Sequence, residues 1–255
     1  MKRFGIIGDP VAHSMSPRLF RAAYGGRFPY DLIEGADFDA SWARFINDYD
    51  GINVTAPFKE KAAERADILS PAVSRIGASN LIVKTSEGIF ADNSDYHGVV
   101  LTLRSHGIKC GKALVVGCGG AGKAAAVALF DEGWEVSLLN RTRSRAEAFA
   151  EAASECNFKV RDASCLKDAV HEADLIAYTA TAPIEGLEKM EMEDFEGKII
   201  FEANYKNPSL TGPLFEKSTV ISGMEWLLFQ AIAGYRTFTG EDPDAESMKR
   251  IIKLQ

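Results

Sequence analysis

Two lysines stand where a short strand meets a helix, and a lysine side chain can donate a proton or bind an anion. The stretch "GINVTAPFKEKA" begins as a buried strand at residues 51–55, passes a proline and continues as a charged helix that contains Lys59 and Lys61. Residues two apart on a helix point to different faces. At most one of these lysines is therefore expected to face a given site.

Two hydroxyl groups follow the first strand, in the stretch "HSMSP". Ser16 and Pro17 form a good N-cap and N1 pair, so one function of this stretch is to start a helix. Ser14 adds a second hydroxyl, and two hydroxyls beside a helix N-terminus can hold a carboxylate. The two interpretations are compatible, since one serine can cap the helix while the other binds.

Acidic residues lie at another helix start, in the stretch "DNSD". Asp92 or Ser94 is expected to cap the helix. Asp95 falls in its first turn, where the helix dipole stabilises a negative charge and keeps the carboxylate ionised.

The stretch "GCGGAG" follows a strand predicted at residues 113–116 and precedes a predicted helix. Gly117, Gly119 and Gly122 fit the pattern Gly-x-Gly-x-x-Gly, whose glycines permit a tight turn, close approach of a pyrophosphate and close packing of helix on strand. The helix N-terminus would direct its N–H groups at the phosphates. This context favours a dinucleotide site over a flexible glycine turn.

The residues at the end of the next strand indicate which dinucleotide the site would bind. An NAD-binding domain usually places an acidic residue there, to accept from the ribose 2′-hydroxyl. Here "LLNRTRSR" places Asn140, Arg141 and Arg145 instead. Guanidinium groups favour a 2′-phosphate, and therefore NADP, over the alternative of a solvated arginine cluster.

Strand-like and helix-like segments alternate throughout the chain, which predicts an α/β fold with mostly parallel sheets. In the first part the helices are expected at residues 17–24, 39–49 and 58–69. Residues 81–84 and 88–91 predict a hairpin that forms an antiparallel edge. The predicted strands are residues 2–7, 30–33, 52–55, 113–116, 135–140, 174–180, 198–205 and 219–222.

The elements separate into two predicted domains, an N-terminal α/β substrate-binding and catalytic domain (1–105) and a Rossmann-type domain (106–223). The boundary is expected in the polar stretch at 105–112. In the Rossmann-type domain the predicted helices are 119–132 and 143–154. The last helices, about 224–237 and 245–253, have no strand after them and are expected to pack on the first domain, so that 224–255 joins 1–105.

The composition and charge of the chain indicate which classes of partner are not expected. The chain has 255 residues and a formal net charge of −7, which argues against a nucleic acid partner. No run of about 18 apolar residues occurs, so no membrane span is expected, and the N-terminus does not resemble a signal peptide. Its four cysteines lack Cys-x-x-Cys spacing, which predicts neither a metal site nor disulfides and fits a cytoplasmic protein.

Taken together, these motifs resemble the shikimate dehydrogenase family, NADP-dependent enzymes of aromatic amino acid and chorismate biosynthesis. The matching segments occur in the family's order over almost the whole chain. They are "HSMSP", "NVTAPFKEKA", "IGASN", "DNSD", "GCGGAG", "NRTRSR", "NYKNPSLT" and "SGMEWLLFQ".

The resemblance implies a site in the cleft between the two domains, with Lys59 and Asp95 as the catalytic pair. Lys61 would then be a solvated surface residue. The residues implied to bind substrate are Ser14, Ser16, Thr55, Lys59, Asn80, Asp95, Tyr205 and Gln230. The residues implied to bind NADP are Gly117, Cys118, Gly119, Gly120, Ala121, Asn140, Arg141, Thr142, Arg145, Thr179, Ala203, Gly223 and Met224.

Several positions depart from the family pattern. Tyr96 and His97 stand before Gly98, where a glycine commonly follows the catalytic aspartate directly. Leu81 replaces a common threonine, Thr179 a common asparagine, and Glu202 a common aspartate. The segment "YKNPSLT" is also one residue longer than usual. These departures concern the substrate lid and the nicotinamide pocket.

The implied reaction is the reversible reduction of 3-dehydroshikimate to shikimate by NADPH, in a monomer or homodimer. One alternative is a quinate/shikimate dehydrogenase with broader substrate or NAD use, although Arg141 and Arg145 argue against NAD preference. Another is a non-catalytic NADP-binding protein, which would be expected to lack Lys59 or Asp95. A folate-type dehydrogenase would not need the paired serines.

Overall fold

The computed structural model describes residues 1–253 and divides the chain into two compact units. The first unit comprises Met1–Gly98 and the chain from Leu228 onward, and the second comprises Val99–Leu227. The divisions fall within the helices Ser94–Ser105 and Gly223–Thr239, a few residues from the expected positions at 105/106 and 223/224.

The first unit is built on a six-stranded sheet. Before the helix that leads into the second unit, its elements are β1 (Phe4–Gly8), α1 (Ser16–Tyr24), β2 (Tyr30–Glu34), α2 (Phe38–Asp48), β3 (Gly51–Val54), α3 (Lys59–Arg65), β4 (Ile68–Leu69), α4 (Pro71–Ile76), β5 (Leu81–Thr85) and β6 (Gly88–Asp92). The strand order is β2-β1-β3-β5-β6-β4. β1 is parallel to β2 and β3, and β5 is antiparallel to β3 and β6.

The antiparallel hairpin β5-β6 was predicted correctly, but its placement at the sheet edge was wrong. The edge is β4, which pairs in parallel with β6 and lies within the segment predicted as one helix over 58–69. That helix ends at Arg65 because Asp67 turns the chain onto β6, donating its N–H to Ile89 O at 2.9 Å. Ser70 then caps the unpredicted helix α4, with Pro71 at its first position.

The second unit contains a parallel six-stranded sheet in the order β12-β11-β10-β7-β8-β9, the doubly wound arrangement. Its chain runs through α5 (Ser94–Ser105), β7 (Lys112–Val116), α6 (Gly120–Asp131), β8 (Glu135–Leu139), α7 (Arg143–Ala152), β9 (Lys159–Arg161), α8 (Leu166–Glu172), β10 (Leu175–Tyr178), β11 (Ile199–Glu202) and β12 (Thr219–Ile221). β9 and α8 were not predicted, since three and seven residues give too short a pattern to recognise.

Packing in the second unit fixes the turn after β7. The residues of α6 from Ala124 to Leu129 are all buried, and most of them are alanine, so the helix can lie close to the sheet. A helix held this closely has little freedom to move its N-terminus. The glycine-rich turn that precedes it is therefore held firmly.

The final helices, α9 (Gly223–Thr239) and α10 (Ala245–Lys253), return to the first unit. Phe238 of α9 stacks on Phe4 of β1 with ring centroids 5.0 Å apart. Asp244, just before α10, donates its N–H to Ala23 O of α1 at 2.9 Å. These contacts join the final helices to β1 and α1 of the first unit. Within residues 1–253, no helix is long and apolar enough to span a membrane.

Candidate active site

Hydrogen bonds gather the predicted site loops of the first unit at one end of its sheet. Thr55 donates its N–H to Ile7 O at 2.9 Å, so the chain leaves β3 beside the end of β1. Asn80 accepts through its main-chain oxygen from Val54 N–H at 2.9 Å. The hairpin then brings the end of β6 back beside the start of β5. Loops that share one end of a sheet are where α/β proteins bind ligands.

Lys59 and Asp95 are in direct contact at this end of the sheet. Lys59 Nζ donates to Asp95 Oδ2 at 2.5 Å. Asp95 is buried, with 6% of its surface exposed, and the Lys59 side chain is 21% exposed. Lys59 is the first residue of α3 and Asp95 the second of α5, where the helix N-terminus favours a carboxylate. The pair is thus shielded on one side and accessible on the other.

Lys61 lies elsewhere, as predicted. It is exposed on α3, and its Nζ lies 5.9 Å from the centroid of the Phe38 ring. This is a surface cation–π contact of modest strength. The two lysines of the strand-to-helix turn therefore have different environments.

Asparagine side chains fix the start of α5. Asn93 Oδ1 accepts from Tyr96 N–H at 3.1 Å, so Asn93 caps the helix, and the prediction of Asp92 or Ser94 as the cap was wrong. Asn80 Oδ1 accepts from the Ser94 N–H at 2.6 Å. A side chain of the loop before β5 thus holds the turn beside Asp95. The local sequence pattern does not reveal this contact.

His97 forms a pair with Asp92 rather than with Lys59 or Asp95. His97 Nε2 lies 2.8 Å from Asp92 Oδ2. Burial disfavours the charged carboxylate, but the hydrogen bond and charge of the imidazole outweigh burial, and the pKa of Asp92 is lowered. His97, one of the residues that depart from the family pattern, therefore joins the first turn of α5 to the end of β6.

The serine pair is assembled, but the roles within it differ from the prediction. Ser14 Oγ donates to Ser16 Oγ at 3.1 Å and accepts from Ser16 N–H at 3.2 Å. α1 begins at Ser16, with Met15 at its N-cap and no side-chain cap bond. Ser16 therefore does not cap the helix, because the Ser14 hydroxyl already receives a first-turn N–H. Tyr235 of α9 donates to Ser16 O at 3.0 Å and holds this turn.

Of the remaining predicted substrate residues, two lie in the first unit, in different settings. Thr55 follows β3 and is half-buried, and a Cβ at Gly8 would lie 2.3 Å from its methyl carbon. Gln230 is half-buried on α9, five residues before the Tyr235 that contacts Ser16. Tyr205 belongs to the second unit, where burial raises the pKa of its phenol.

In the second unit, the glycine-rich turn has the three predicted features. Gly117 has φ of +99°, a conformation that disfavours side chains. A Cβ at Gly122 would lie 1.8 Å from Gly117 O, so this position admits only glycine. A Cβ at Gly119 would meet nothing within 4 Å, which leaves open space beside the start of α6. The turn can therefore accept a phosphate against its backbone.

A groove extends from this turn. Predicted residues that line it are Gly117, Cys118, Gly119, Asn140, Arg141, Thr142, Arg145 and Thr179. Its other wall, which the motifs in the sequence do not predict, is formed mainly by Ala180, Thr181, Ala182, Pro183 and Ile184. This wall follows the carboxyl end of β10, and that position was the available signal, because doubly wound sheets bind ligands at such ends.

Hydrogen bonds hold the groove in shape. Asn140 Oδ1 accepts from Cys118 N–H at 3.0 Å, and its Nδ2 donates to Thr142 O at 2.8 Å. Thr179 Oγ1 lies 3.0 Å from the main-chain oxygens of both Val116 and Gly117. Burial raises the pKa of the Cys118 thiol to about 11, so this cysteine is neutral and inert in the turn.

The arginines beyond β8 differ in their pairing. Arg143 Nε donates to Glu147 at 2.7 Å, and Arg143 Nη1 lies 3.3 Å from Asp162. Within residues 1–253, Arg141 and Arg145 have no ion-pair partner, and both line the groove. Two guanidinium groups without a carboxylate partner among these residues thus line the groove, a suitable arrangement for an anionic ligand.

The remaining predicted cofactor residues lie outside the lining of this groove. Gly120 and Ala121 form the first turn of α6. Ala203 donates its N–H to Tyr178 O at 2.9 Å, and a Cβ at Gly223 would lie 2.7 Å from Ala203 O. Met224 is half-buried next to Gly223. The close approach of Gly223 to the end of β11 requires a glycine there.

A doubly wound unit with a glycine-rich turn and two arginines in its groove, in one chain with a lysine paired to a buried aspartate, defines an NADP-dependent oxidoreductase of the α/β class. Sequence models of two family domains match the chain. The shikimate dehydrogenase substrate binding domain matches residues 6–82, and the shikimate / quinate 5-dehydrogenase domain matches residues 101–201.

Three known proteins with similar sequences or structures bear the name of the same family. Shikimate dehydrogenase (NADP(+)) of Natronomonas pharaonis is 34% identical over 99% of both chains. The enzyme of the same name from Haloarcula marismortui is 32% identical over 97% of both. The crystal structure of shikimate 5-dehydrogenase from Thermus thermophilus, in complex with NADP(H) and shikimate, has a TM-score of 0.84 at 30% identity and covers 100% of this chain and 99% of its own. The chain belongs to the shikimate dehydrogenase family.

Proposed function

We propose that this protein catalyses the reversible NADPH-dependent reduction of 3-dehydroshikimate to shikimate, with Lys59 and Asp95 as its catalytic residues. The observation that supports this most directly is the contact of 2.5 Å between Lys59 Nζ and the buried Asp95 carboxylate. A non-catalytic dinucleotide-binding protein has no need to bury an aspartate against a lysine at the ligand end of a sheet.

Lys59 and Asp95 have separate roles in the proposed mechanism. Reduction of a ketone leaves an alkoxide, and the Lys59 ammonium donates a proton to that oxygen and stabilises the developing charge. Asp95 orients the ammonium through the observed hydrogen bond and accepts from a neighbouring substrate hydroxyl. In the direction of shikimate oxidation, Lys59 begins as the neutral amine and accepts the proton from the substrate hydroxyl that is oxidised.

The groove of the second unit fits NADP. Bound NADPH supplies the hydride. The open space at Gly119 and the N–H groups of Gly120 and Ala121 would hold the pyrophosphate. Arg141 and Arg145 would bind the 2′-phosphate, with Asn140 and Thr142 shaping the turn between them. We assign Cys118, Thr179, Ala203, Gly223 and Met224 to the rest of the cofactor site.

The remaining site residues are assigned to shikimate. Ser14 and Ser16 present hydroxyls 3.1 Å apart beside the start of α1, a suitable arrangement for a carboxylate. Asn80 Oδ1 is occupied by Ser94, so its Nδ2 is the end that can donate to a ring hydroxyl. Thr55 and Gln230 supply further polar groups for the ring, and Tyr205 contacts the substrate as well.

We also propose that the protein acts in the cytoplasm. The four cysteines all lie within the described residues 1–253 and form no disulfide there, which fits the reducing cytoplasm. The active form is a monomer or homodimer.

The function is tested by following NADP⁺ reduction with shikimate by absorbance, with NAD⁺ and quinate as alternatives in matched assays. We expect turnover with shikimate and NADP⁺ to exceed every other combination. Absence of shikimate oxidation would overturn the proposal. Equal turnover of quinate would instead show a broader dehydrogenase.

A further inference from the structure

One buried carboxylate of the second unit has no role in the cofactor groove, yet it contacts the segment that carries Tyr205. Glu202 is the last residue of β11 and only 2% of its surface is exposed. Within the described residues 1–253 it forms no ion pair. A buried carboxylate without a counter-ion is costly unless backbone donors satisfy it.

Glu202 receives three backbone N–H groups from the two ends of one segment. Its Oε1 accepts from Asn204 N–H at 2.9 Å. Its Oε2 accepts from Ser209 N–H at 3.0 Å and from Leu210 N–H at 3.1 Å. We name residues 203–210 the Tyr205 segment. The carboxylate joins the start of this segment to its end and closes it into a loop.

We propose that Glu202 is a positioning residue for the substrate, which acts by holding the Tyr205 segment closed and so placing the Tyr205 side chain. This inference rests on the proposed function, which assigns Tyr205 to shikimate. Both oxygens are needed, since each serves a different end of the segment. The chain length of glutamate is needed as well, because an aspartate at this position would withdraw the carboxylate by one methylene from both ends.

The decisive variant is Glu202→Gln, which keeps the shape of the side chain. A carboxamide has one acceptor oxygen and one donor amide, so it can accept at one end of the segment only. We expect faster hydrogen exchange of the Tyr205 segment in this variant. We also expect the KM for shikimate to rise about 10-fold, with kcat and the Kd of NADPH changed less than about twofold.

Two controls separate positioning from general loss of stability. Asp194 is another buried carboxylate of the second unit and accepts from Glu191 N–H at 2.9 Å, but its segment carries no proposed site residue. Asp194→Asn should lower stability and leave the KM for shikimate unchanged. In a Tyr205→Phe background, Glu202→Gln should add less than about twofold to KM, because both changes remove the same interaction.

The outcomes are distinct. An unchanged KM in folded Glu202→Gln protein would overturn the inference, as would an equal rise in KM in Asp194→Asn or full multiplicativity with Tyr205→Phe. If the parent protein fails to oxidise shikimate, the proposed function fails, and the substrate role of Glu202 fails with it. The hydrogen exchange of the Tyr205 segment then still decides whether Glu202 closes the loop.

Discussion

Lys59 and Lys61 show how position within one helical turn separates the lysine proposed to be catalytic from a surface lysine. Both come from the same short stretch and the same residue type. Only Lys59 meets an acid, at 2.5 Å from Asp95, whereas Lys61 lies over the Phe38 ring. The contrast makes Lys61 a matched control for any experiment on Lys59.

Lys59→Ala is expected to lower kcat for shikimate oxidation by about 10²–10⁴-fold with a small change in KM, since general acid–base catalysis contributes about this much. The Kd of NADP should be unchanged, because the cofactor groove lies in the second unit. Lys61→Ala should leave kcat for shikimate oxidation and the Kd of NADP close to the parental values. Steady-state kinetics with folding verified by circular dichroism provide the test, and near-normal kcat in folded Lys59→Ala protein would refute the assigned mechanism.

Arg141 and Arg143 form a second matched pair, this time for cofactor choice. Arg141 lines the groove without an ion-pair partner among residues 1–253, whereas Arg143 is paired with Glu147 and Asp162. Arg141→Ala should raise the KM for NADP at least about 10-fold, as loss of a charge-assisted hydrogen bond costs about 1.5–3 kcal/mol. It should leave the KM for NAD nearly unchanged. Arg143→Ala should change neither the KM for NADP nor the KM for NAD. An equal rise in the KM for NADP in both variants would indicate a general charge effect instead.

At the scale of elements, the strand, turn and helix of residues 112–131 must both pack closely and leave space for the proposed cofactor. Two glycines of the turn differ in the space that a side chain would have. Gly122 packs against Gly117 O, where a Cβ would come within 1.8 Å, and Gly119 borders open space. The first glycine is required by the fold, and the second borders the space proposed for the cofactor, although one motif contains both.

Alanine substitutions are expected to separate these two functions. Gly122→Ala should lower the melting temperature strongly, since backbone atoms of the turn must move to admit a methyl group. Gly119→Ala should change stability by less than about 0.5 kcal/mol and weaken NADPH binding at least about 10-fold, because the methyl group would occupy the space proposed for the pyrophosphate. Thermal unfolding and a fluorescence titration with NADPH measure the two effects. Tight NADPH binding by Gly119→Ala would show that the pyrophosphate lies elsewhere.

Over the whole molecule, the sequence predicted those features that neighbours in the chain determine. Alternating β and α patterns predicted two α/β sheets, and the glycine turn and the arginines beyond β8 were found from local spacing. The short elements β4 and β9 were missed because two or three residues form no recognisable pattern. The wall of the groove at 180–184 and the Asn80–Ser94 contact were missed because they depend on residues brought together by the sheet. Ser16 was wrongly assigned as a cap, since the sequence could not show that the Ser14 hydroxyl takes the N–H.

The stability of the molecule in acid is expected to depend in part on Asp194. Burial alone would raise its pKa, but the Glu191 N–H and the His171 and Lys167 side chains outweigh burial and lower its pKa to about 2. A folded pKa below the unfolded one means that the contribution is present above about pH 4 and is lost as the pH falls towards about 2. Asp194→Asn should therefore lower the free energy of unfolding near neutral pH, by about 1–2 kcal/mol after allowance for the half-exposed cations. The deficit should shrink as the pH approaches about 3.

Urea unfolding midpoints near neutral pH, at about pH 5 and at about pH 3 provide the measurement for this variant. Asp168→Asn is the control, since Asp168 is an exposed carboxylate beside Lys167 on α8. It should change the free energy of unfolding by less than about 0.5 kcal/mol at every pH. A deficit for Asp194→Asn that stays constant down to pH about 3 would mean that the loss comes from packing and not from charge, because a packing defect does not depend on the ionisation of the carboxylate.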